Sequence, residues 1–336
     1  MFQIQIEGST KQFSCDADDT ILRAALRAGI GFPYECNVGS CGNCKFELLE
    51  GELQKTWEQA PGLSEKDRSK NRWLGCQSQP CGYARIKMRE MEHYTPIHHP
   101  LNTKARLLSK RAITHDLHEF TFECDEAITF ASGQYALIHF AGVAGPRAYS
   151  MSQAGASSKQ IDFQVRIIPG GTGTQKLFTM PLGEEVHIDG PYGMAYLRED
   201  APRDILLVGG GSGLAPMISL ARGALAQKNP AFQKIHFIYG AREVRDICGL
   251  DMLQALANWN TVGHYTAVVS NAPPEQTLPE GTERGFVHEV VQRLHADTLS
   301  QMEIYFAGPA PMAQAMIKLL VELKVPMNQV HFDQFY

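Results

Sequence analysis

The chain has 336 residues, too many for one ordinary hydrophobic core, so two or three domains are expected. Its 31 basic and 36 acidic residues leave a net charge of −5 and no basic field, which argues against a nucleic-acid partner. No window reaches the roughly eighteen apolar residues of a membrane span, and the N-terminus lacks the pattern of a signal peptide, so a cytoplasmic enzyme is expected.

Residues 1–8 alternate apolar and polar like a half-buried strand. Asp18 or Asp19 can then cap a helix over Thr20–Ala28 that Gly29 ends, with Ile21, Leu22, Ala25, Leu26 and Ala28 as its apolar stripe. Next comes the run Cys36-Asn-Val-Gly-Ser-Cys41-Gly-Asn-Cys44, with Cys76 further on. Cys-x4-Cys-x2-Cys followed by a distant cysteine is the plant-type [2Fe-2S] ligand spacing, so Cys36, Cys41, Cys44 and Cys76 are the expected metal ligands. Gly39, Ser40 and Gly42 let a tight loop wrap such a cluster and point backbone N–H groups at its sulfurs.

Zinc is the rival, because Cys41-x2-Cys44 is half of a knuckle and Cys76-x4-Cys81 is loosely the other half; it gives Cys36 no role. Four cysteines that must stay free point to a reducing compartment rather than a disulfide framework, and Cys15, Cys81, Cys124 and Cys248 read as buried small apolar residues. A strand over residues 44–51 and another over 84–88, the latter closing the sheet, complete a segment 1–93. Residues 94–104, with Pro96, His98, His99 and Pro100, read as a linker.

Segment 105–200 has short alternating strands at 117–122, 134–140 and 161–167, which suggest a small antiparallel barrel. It carries Arg147-Ala148-Tyr149-Ser150 and the glycine-rich Gly170–Thr174. An arginine can pair with a pyrophosphate, an aromatic can lie along an isoalloxazine and a hydroxyl-bearing glycine turn can donate to phosphate; each run alone reads equally as an ion pair and a packed ring. Segment 201–336 changes period: strand 204–209, helix 215–226 and strand 234–240 mark a parallel sheet with helices on its faces.

Between that first strand and helix, Gly209–Pro216 suits a diphosphate, although the third glycine of the Rossmann fingerprint falls on Leu214 or Pro216. Arg242 or Arg245 can pair with a ribose 2′-phosphate, whereas Glu243 and Asp246 oppose that charge, so NADH is favoured with NADPH tolerated. The fold class expected is multi-domain α+β and α/β.

Taken together and in this order, the motifs resemble the ferredoxin–NAD(P)+ reductase superfamily over the whole chain, with a plant-type ferredoxin domain ahead of an FAD barrel and a nicotinamide domain. The likeness is greatest to NADH-dependent reductase components of bacterial aromatic-ring-hydroxylating oxygenases, of the naphthalene and carbazole dioxygenase type. It is carried also by Gly31–Cys36, Lys45–Gly51, Gly308-Pro309 ahead of Pro311-Met312, and the ending His331–Tyr336.

The resemblance implies Arg147 on the flavin pyrophosphate, Tyr149 against the isoalloxazine and Ser150 near its N5. It puts Arg166, Ile168, Gly171 and Thr174 in a second flavin stretch, where Gly173 departs from the bulkier residue relatives often carry. It makes Gly210, Gly211, Ser212, Gly213, Leu214 and Ala215 the nicotinamide loop, lines the same cleft with Gly308 and Pro309, and brings Asp333 and Phe335, with Tyr336 beside them, to the flavin. Ser150 and Asp333 are the implied catalytic pair, orienting the reacting edges.

The implied activity is hydride from NADH onto FAD, with electrons passed singly through the cluster to a Rieske-type ferredoxin or terminal oxygenase that docks at Gly39–Gly42. A diiron monooxygenase or a sugar-deoxygenating enzyme is an alternative acceptor. From a different class, a non-enzymatic zinc-binding interaction protein is the remaining alternative.

Overall fold

The computed structural model describes residues 1–335 except Asn229. By contacts these residues form two units: Met1–Thr103 with Leu137–Ala148 and His187–Tyr192, and Lys104–Ala136 with Tyr149–Val186 and Gly193 onward.

The first sheet is built from β1 (Phe2–Ile6), β2 (Gln12–Cys15), β3 (Lys45–Lys55), β4 (Arg72–Leu74) and β5 (Ser78–Lys87), in the order β2-β1-β5-β3-β4. The expected closing strand is longer than 84–88 and central, parallel to β1 and antiparallel to β3. The reason is burial: Ala84 and Ile86 are fully covered, which an edge position does not provide. Helix α1 (Ile21–Arg27) packs Ile21, Leu22, Ala25 and Leu26 at 0% exposure.

The N-cap position falls on Thr20, not Asp18 or Asp19; Thr20 is the extended residue, its side chain makes no capping hydrogen bond, and Asp19 accepts from its N–H at 2.7 Å. At the other end Gly29 takes φ +73, its N–H bonds Leu26 O and the N–H of Ile30 bonds Ala25 O, the Schellman arrangement that a left-handed glycine permits. A short helix α2 (Glu65–Arg68) has a Ser64–Asp67 capping box. Cys81 is a further correction, for it is exposed on β5, while Cys15 and Cys124 are buried and Cys248 half-buried.

The second sheet contains β6 (Leu101–Ala112), β7 (Leu117–Thr129), β8 (Tyr135–His139), β9 (Arg147–Ser150), β10 (Ser157–Arg166) and β11 (Glu185–Tyr192), ordered β10-β7-β6-β11-β8-β9. Met151, directly after β9, makes an antiparallel bridge to Phe163 of β10, so the two end strands meet and the sheet curls into a barrel. Phe120, Phe122, Ile161 and Phe163 fill it at 0% exposure. Strand β6 begins at Leu101, inside the stretch expected as linker, because Thr103 and Ala105 are already buried there. Helix α3 (Thr172–Thr179) precedes β11.

The third sheet is all parallel: β12 (Asp204–Gly210), β13 (Ile235–Ala241), β14 (Gly263–Val269), β15 (Thr282–Arg284), β16 (Met302–Pro309) and β17 (Val330–Phe335), in the order β15-β14-β13-β12-β16-β17. Its helices are α4 (Leu214–Ala226), α5 (Leu250–Gln254), α6 (Trp259–Val262), α7 (Val287–His295) and α8 (Ala310–Glu322). The continuous apolar run of β12 follows from cores on both faces. Ile205 and Leu207 join α4 and α5, while Leu206 and Val208 join α7 and α8. Among the described residues no helix is long and apolar enough to cross a membrane.

Candidate functional site

The cysteine loop leaves α1 and runs ahead of β3 with three left-handed residues, Asn37 (φ +54), Gly39 (φ +92) and Gly42 (φ +78). It is held by a second loop. Gly62 N donates to Gly39 O at 2.9 Å, and a Cβ on Gly62 would stand 2.7 Å from Gly42 N and 2.8 Å from Gly39 O. Gly62 was not among the residues expected from sequence, although Pro61-Gly62 is a turn signal that could have found it.

The four thiols come together as two pairs. Cys44 Sγ lies 3.3 Å from Cys76 Sγ, and Cys36 Sγ, with the Cys41 thiol beside it, accepts from Cys41 N. Among the described residues, His115, Asp116 and Asp246 are the one group with three ligand atoms mutually within 4.8 Å, so no three of these sulfurs are that close. A tetrahedral Zn–S4 centre would need all four about 3.8 Å apart, given bonds of ~2.3 Å. Two separated pairs fit two irons instead.

Backbone groups support the thiolates: Cys41 N donates to Cys36 Sγ at 3.3 Å and Asn43 N to Cys41 Sγ at 3.5 Å, while Gln77 Nε2 donates to Cys76 Sγ at 3.7 Å. The Cys41 thiol and the N–H groups of Val38, Cys41 and Ser40 pull Cys36 down to about 5 against the effect of burial. Cys44 is pushed up by the Cys76 thiol beside it and by burial.

In the barrel, Arg147 Nη1 donates to the carbonyls of Ala144, Gly145 and Pro146 at 3.0–3.1 Å. Tyr149 is half-buried, edge-on to Phe163 at 6.4 Å, and Ser150 is buried at the end of β9. The Thr174 hydroxyl closes the turn before α3, accepting from Ile168 N at 3.2 Å and donating to Gly171 O at 3.0 Å. Ile168 is 57% exposed.

Arg166 sits elsewhere in the site. Its Nε is 3.3 Å from Asp116, its Nη2 3.9 Å from Asp246, and its Nη1 is the atom nearest, at 3.5 Å, to a Cβ built on Gly211. Its Nε and Nη2 are buried facing these two carboxylates without hydrogen-bond geometry, so the guanidinium is held by ion pairing and turns Nη1 toward the glycine turn. Sequence reasoning did not single out Asp116 or His115, which also lies 3.6 Å from Asp246; acidic residues in turns are too common to signal this.

The glycine loop between β12 and α4 is set by close packing. A Cβ on Gly213 would meet Ala307 O at 2.0 Å, one on Gly210 Met312 Sδ at 2.6 Å, and one on Gly308 would lie 3.2 Å from Gly210 O. The glycine run and Gly308-Pro309 are therefore side by side, and the thirteen-residue α4 starts at Leu214 with its N–H groups toward the loop. The Tyr239 hydroxyl donates to Gly211 O at 3.1 Å.

Strand register puts Asp333 opposite Ala307 and Phe335 opposite Pro309, bringing both to the same carboxyl edge of the sheet. Arg242 is exposed just beyond β13, and Arg245 is held by Glu243 at 2.8 Å. Tyr336 lies outside the described residues. The paired thiols, the glycine cradle that a Cβ on Gly210 or Gly213 would fill and the cationic Arg166 beside it fit an iron–sulfur cluster and phosphate-bearing cofactors.

Three family models match the chain: a 2Fe-2S iron–sulfur cluster binding domain over residues 4–81, an oxidoreductase FAD-binding domain over 104–196 and an oxidoreductase NAD-binding domain over 207–318. The chain is 35% identical to a ferredoxin–NAD(P)(+) reductase of Metapseudomonas resinovorans, covering 100% of both. It is 36% identical to the ferredoxin–NAD(+) reductase component of an alkene monooxygenase system of Xanthobacter autotrophicus, covering 97% of this chain and 98% of that one. Among solved structures, the ferredoxin reductase in carbazole 1,9a-dioxygenase superposes with a TM-score of 0.90 at 34% identity, covering 100% and 98%.

Fold and site define an oxidoreductase that joins a nicotinamide nucleotide and FAD to a [2Fe-2S] cluster. The chain belongs to the ferredoxin–NAD(P)+ reductases of oxygenase systems.

Proposed function

We propose that this reductase draws on NADH and supplies single electrons to the Rieske-type ferredoxin or terminal oxygenase of an aromatic-ring-hydroxylating dioxygenase, in the reducing cytoplasm. The observation that carries this reading is the full-length likeness to the ferredoxin reductase in carbazole 1,9a-dioxygenase. FAD, when bound, accepts electrons as a hydride and releases them one at a time, which a one-electron cluster requires.

The chain's own residues bind and orient. Gly210–Ala215 and the start of α4 hold the dinucleotide diphosphate, with Gly308 and Pro309 walling the cleft. Arg147, Tyr149, Arg166, Ile168, Gly171, Thr174 and Phe335 hold the flavin, and Ser150 and Asp333 orient the two reacting edges. NADH is preferred because Glu243, paired with Arg245 at 2.8 Å, and Asp246 oppose the charge of a 2′-phosphate, while exposed Arg242 leaves NADPH tolerated. The acceptor docks at Gly39–Gly42. The working segments are 1–93, 105–200 and 201–336, with 94–104 between them.

An anaerobic absorbance titration with NADH tests the redox core: about three electron equivalents are expected, two on flavin and one on iron. Flavin absorbance without that of iron–sulfur would sink the ligand assignment. The near-equal identity to an alkene monooxygenase reductase favours a diiron monooxygenase as the second reading. Reconstitution with each class of oxygenase separates them, and coupled turnover with a monooxygenase alone would overturn the dioxygenase assignment.

A further inference from the structure

Helix α1 carries two inward-facing arginines one turn apart. Arg23, 5% exposed, donates through Nε and Nη2 to the side-chain and backbone oxygens of Asn37 at 3.3 Å, and Asn37 directly follows Cys36. Arg27 turns the other way. Its Nη1 pairs with Asp19, and its Nη2 donates to Asp189 of β11 at 2.8 Å. Asp189 is 1% exposed, and the same oxygen accepts from the Tyr192 hydroxyl at 2.8 Å. The Tyr192 ring stands edge-on to Tyr34 at 6.2 Å, two residues before Cys36. One end of α1 therefore holds the cysteine loop, and the other holds a strand of the barrel.

We propose that Arg27 is a positioning residue, whose pair with Asp189 seats the cluster-bearing segment on β11 and so sets how fast electrons reach the cluster. This rests on the redox reading above. An ordinary surface ion pair would contribute little, but Asp189 is out of water, so removing Arg27 leaves a buried carboxylate without its cation. Salt screens such a pair weakly.

The test uses the holoenzyme and two acceptors: ferricyanide, a small ion that takes electrons directly from flavin, and cytochrome c, which takes them from the cluster. Two molecules of either are reduced per NADH. Arg27→Gln is expected to slow cytochrome c reduction by about tenfold, since misplacement acts steeply on rate. Ferricyanide reduction and cluster absorbance should stay near the wild-type values. Trypsin cleavage at Arg89 or Lys104, on either side of residues 90–103, should quicken independently of turnover. Arg27→Lys should recover part of the cytochrome c rate, a point charge replacing a fork, and Tyr192→Phe should lower it about twofold.

Unchanged cytochrome c and cleavage rates in Arg27→Gln would overturn the proposal, as would a parallel fall of both acceptor rates and cluster absorbance in both Arg27 variants. A wild-type enzyme inert to NADH with either acceptor would instead overturn the redox reading on which the proposal rests.

Discussion

Gly62 and Gly213 occupy points where another chain segment leaves no room for a methyl group. At Gly62 the backbone has an ordinary φ, so substitution acts through contact alone: Gly62→Ala sets a Cβ 2.7 Å from Gly42 N. Overpacking of this kind costs about 1–3 kcal/mol and displaces the cysteine loop. Iron content per polypeptide and iron–sulfur absorbance should fall while flavin absorbance is kept. Gly213→Ala meets Ala307 O at 2.0 Å and must push the Gly210–Ala215 loop, proposed above to hold the nicotinamide nucleotide, away from β16. The KM for NADH should rise by about tenfold or more, an effect of ~1.4 kcal/mol or larger; equal steady-state constants would refute the assigned loop. Asp246 is only 5% exposed and helps hold Arg166, so Asp246→Asn should alter KM for NADH more than kcat.

Secondary-structure elements decide which residues share an edge. In the parallel sheet, the carboxyl ends of β12, β16 and β17 gather the glycine loop, Gly308 and Asp333, while the opposite end carries a stack of imidazoles. His236 on β13 pairs in register with His264 on β14, their rings 5.3 Å apart, and His295 at the end of α7 lies 4.6 Å from His236. Burial, then the neighbouring His295 and His264, push His236 down to about 4 from 6.5, with Lys234 acting the same way and Asp204 against.

The unfolded chain therefore binds a proton between pH 6.5 and 4 that the folded chain refuses. The stability from this group is complete above pH 6.5 and is lost as pH falls toward 4. Allowing for partial exposure, the loss is on the order of 1–2 kcal/mol. Melting temperature should drop between pH 7 and 5 by more in the wild type than in His236→Asn.

Across the whole molecule, domains matching 2Fe-2S, FAD-binding and NAD-binding family models lie in one chain, and their activities should be separable. Stripping iron with an anaerobic chelator should abolish cytochrome c reduction while NADH–ferricyanide activity persists, because the Cys36/Cys41 and Cys44/Cys76 pairs lie on different elements from the Gly210–Ala215 loop. Loss of both activities at equal rates would contradict this division.

Much of that division was legible in residue order. A four-thiolate cluster imposes its spacing on a short run, a diphosphate loop must sit between a strand and a helix, and a sheet buried on both faces makes Ile205–Val208 continuously apolar. These are local or periodic requirements, so Cys36, Cys41, Cys44, the glycine run and the change of period near residue 201 could be read without a structure. The central place of β5, the Gly62 wedge, the acidic partners of Arg166 and the Arg27–Asp189 pair could not. Each depends on residues up to 162 positions apart meeting at a particular distance and depth, and such meetings leave no periodic trace. Tertiary packing alone selects them, because burial decides which of many similar charges, glycines and strands are brought face to face.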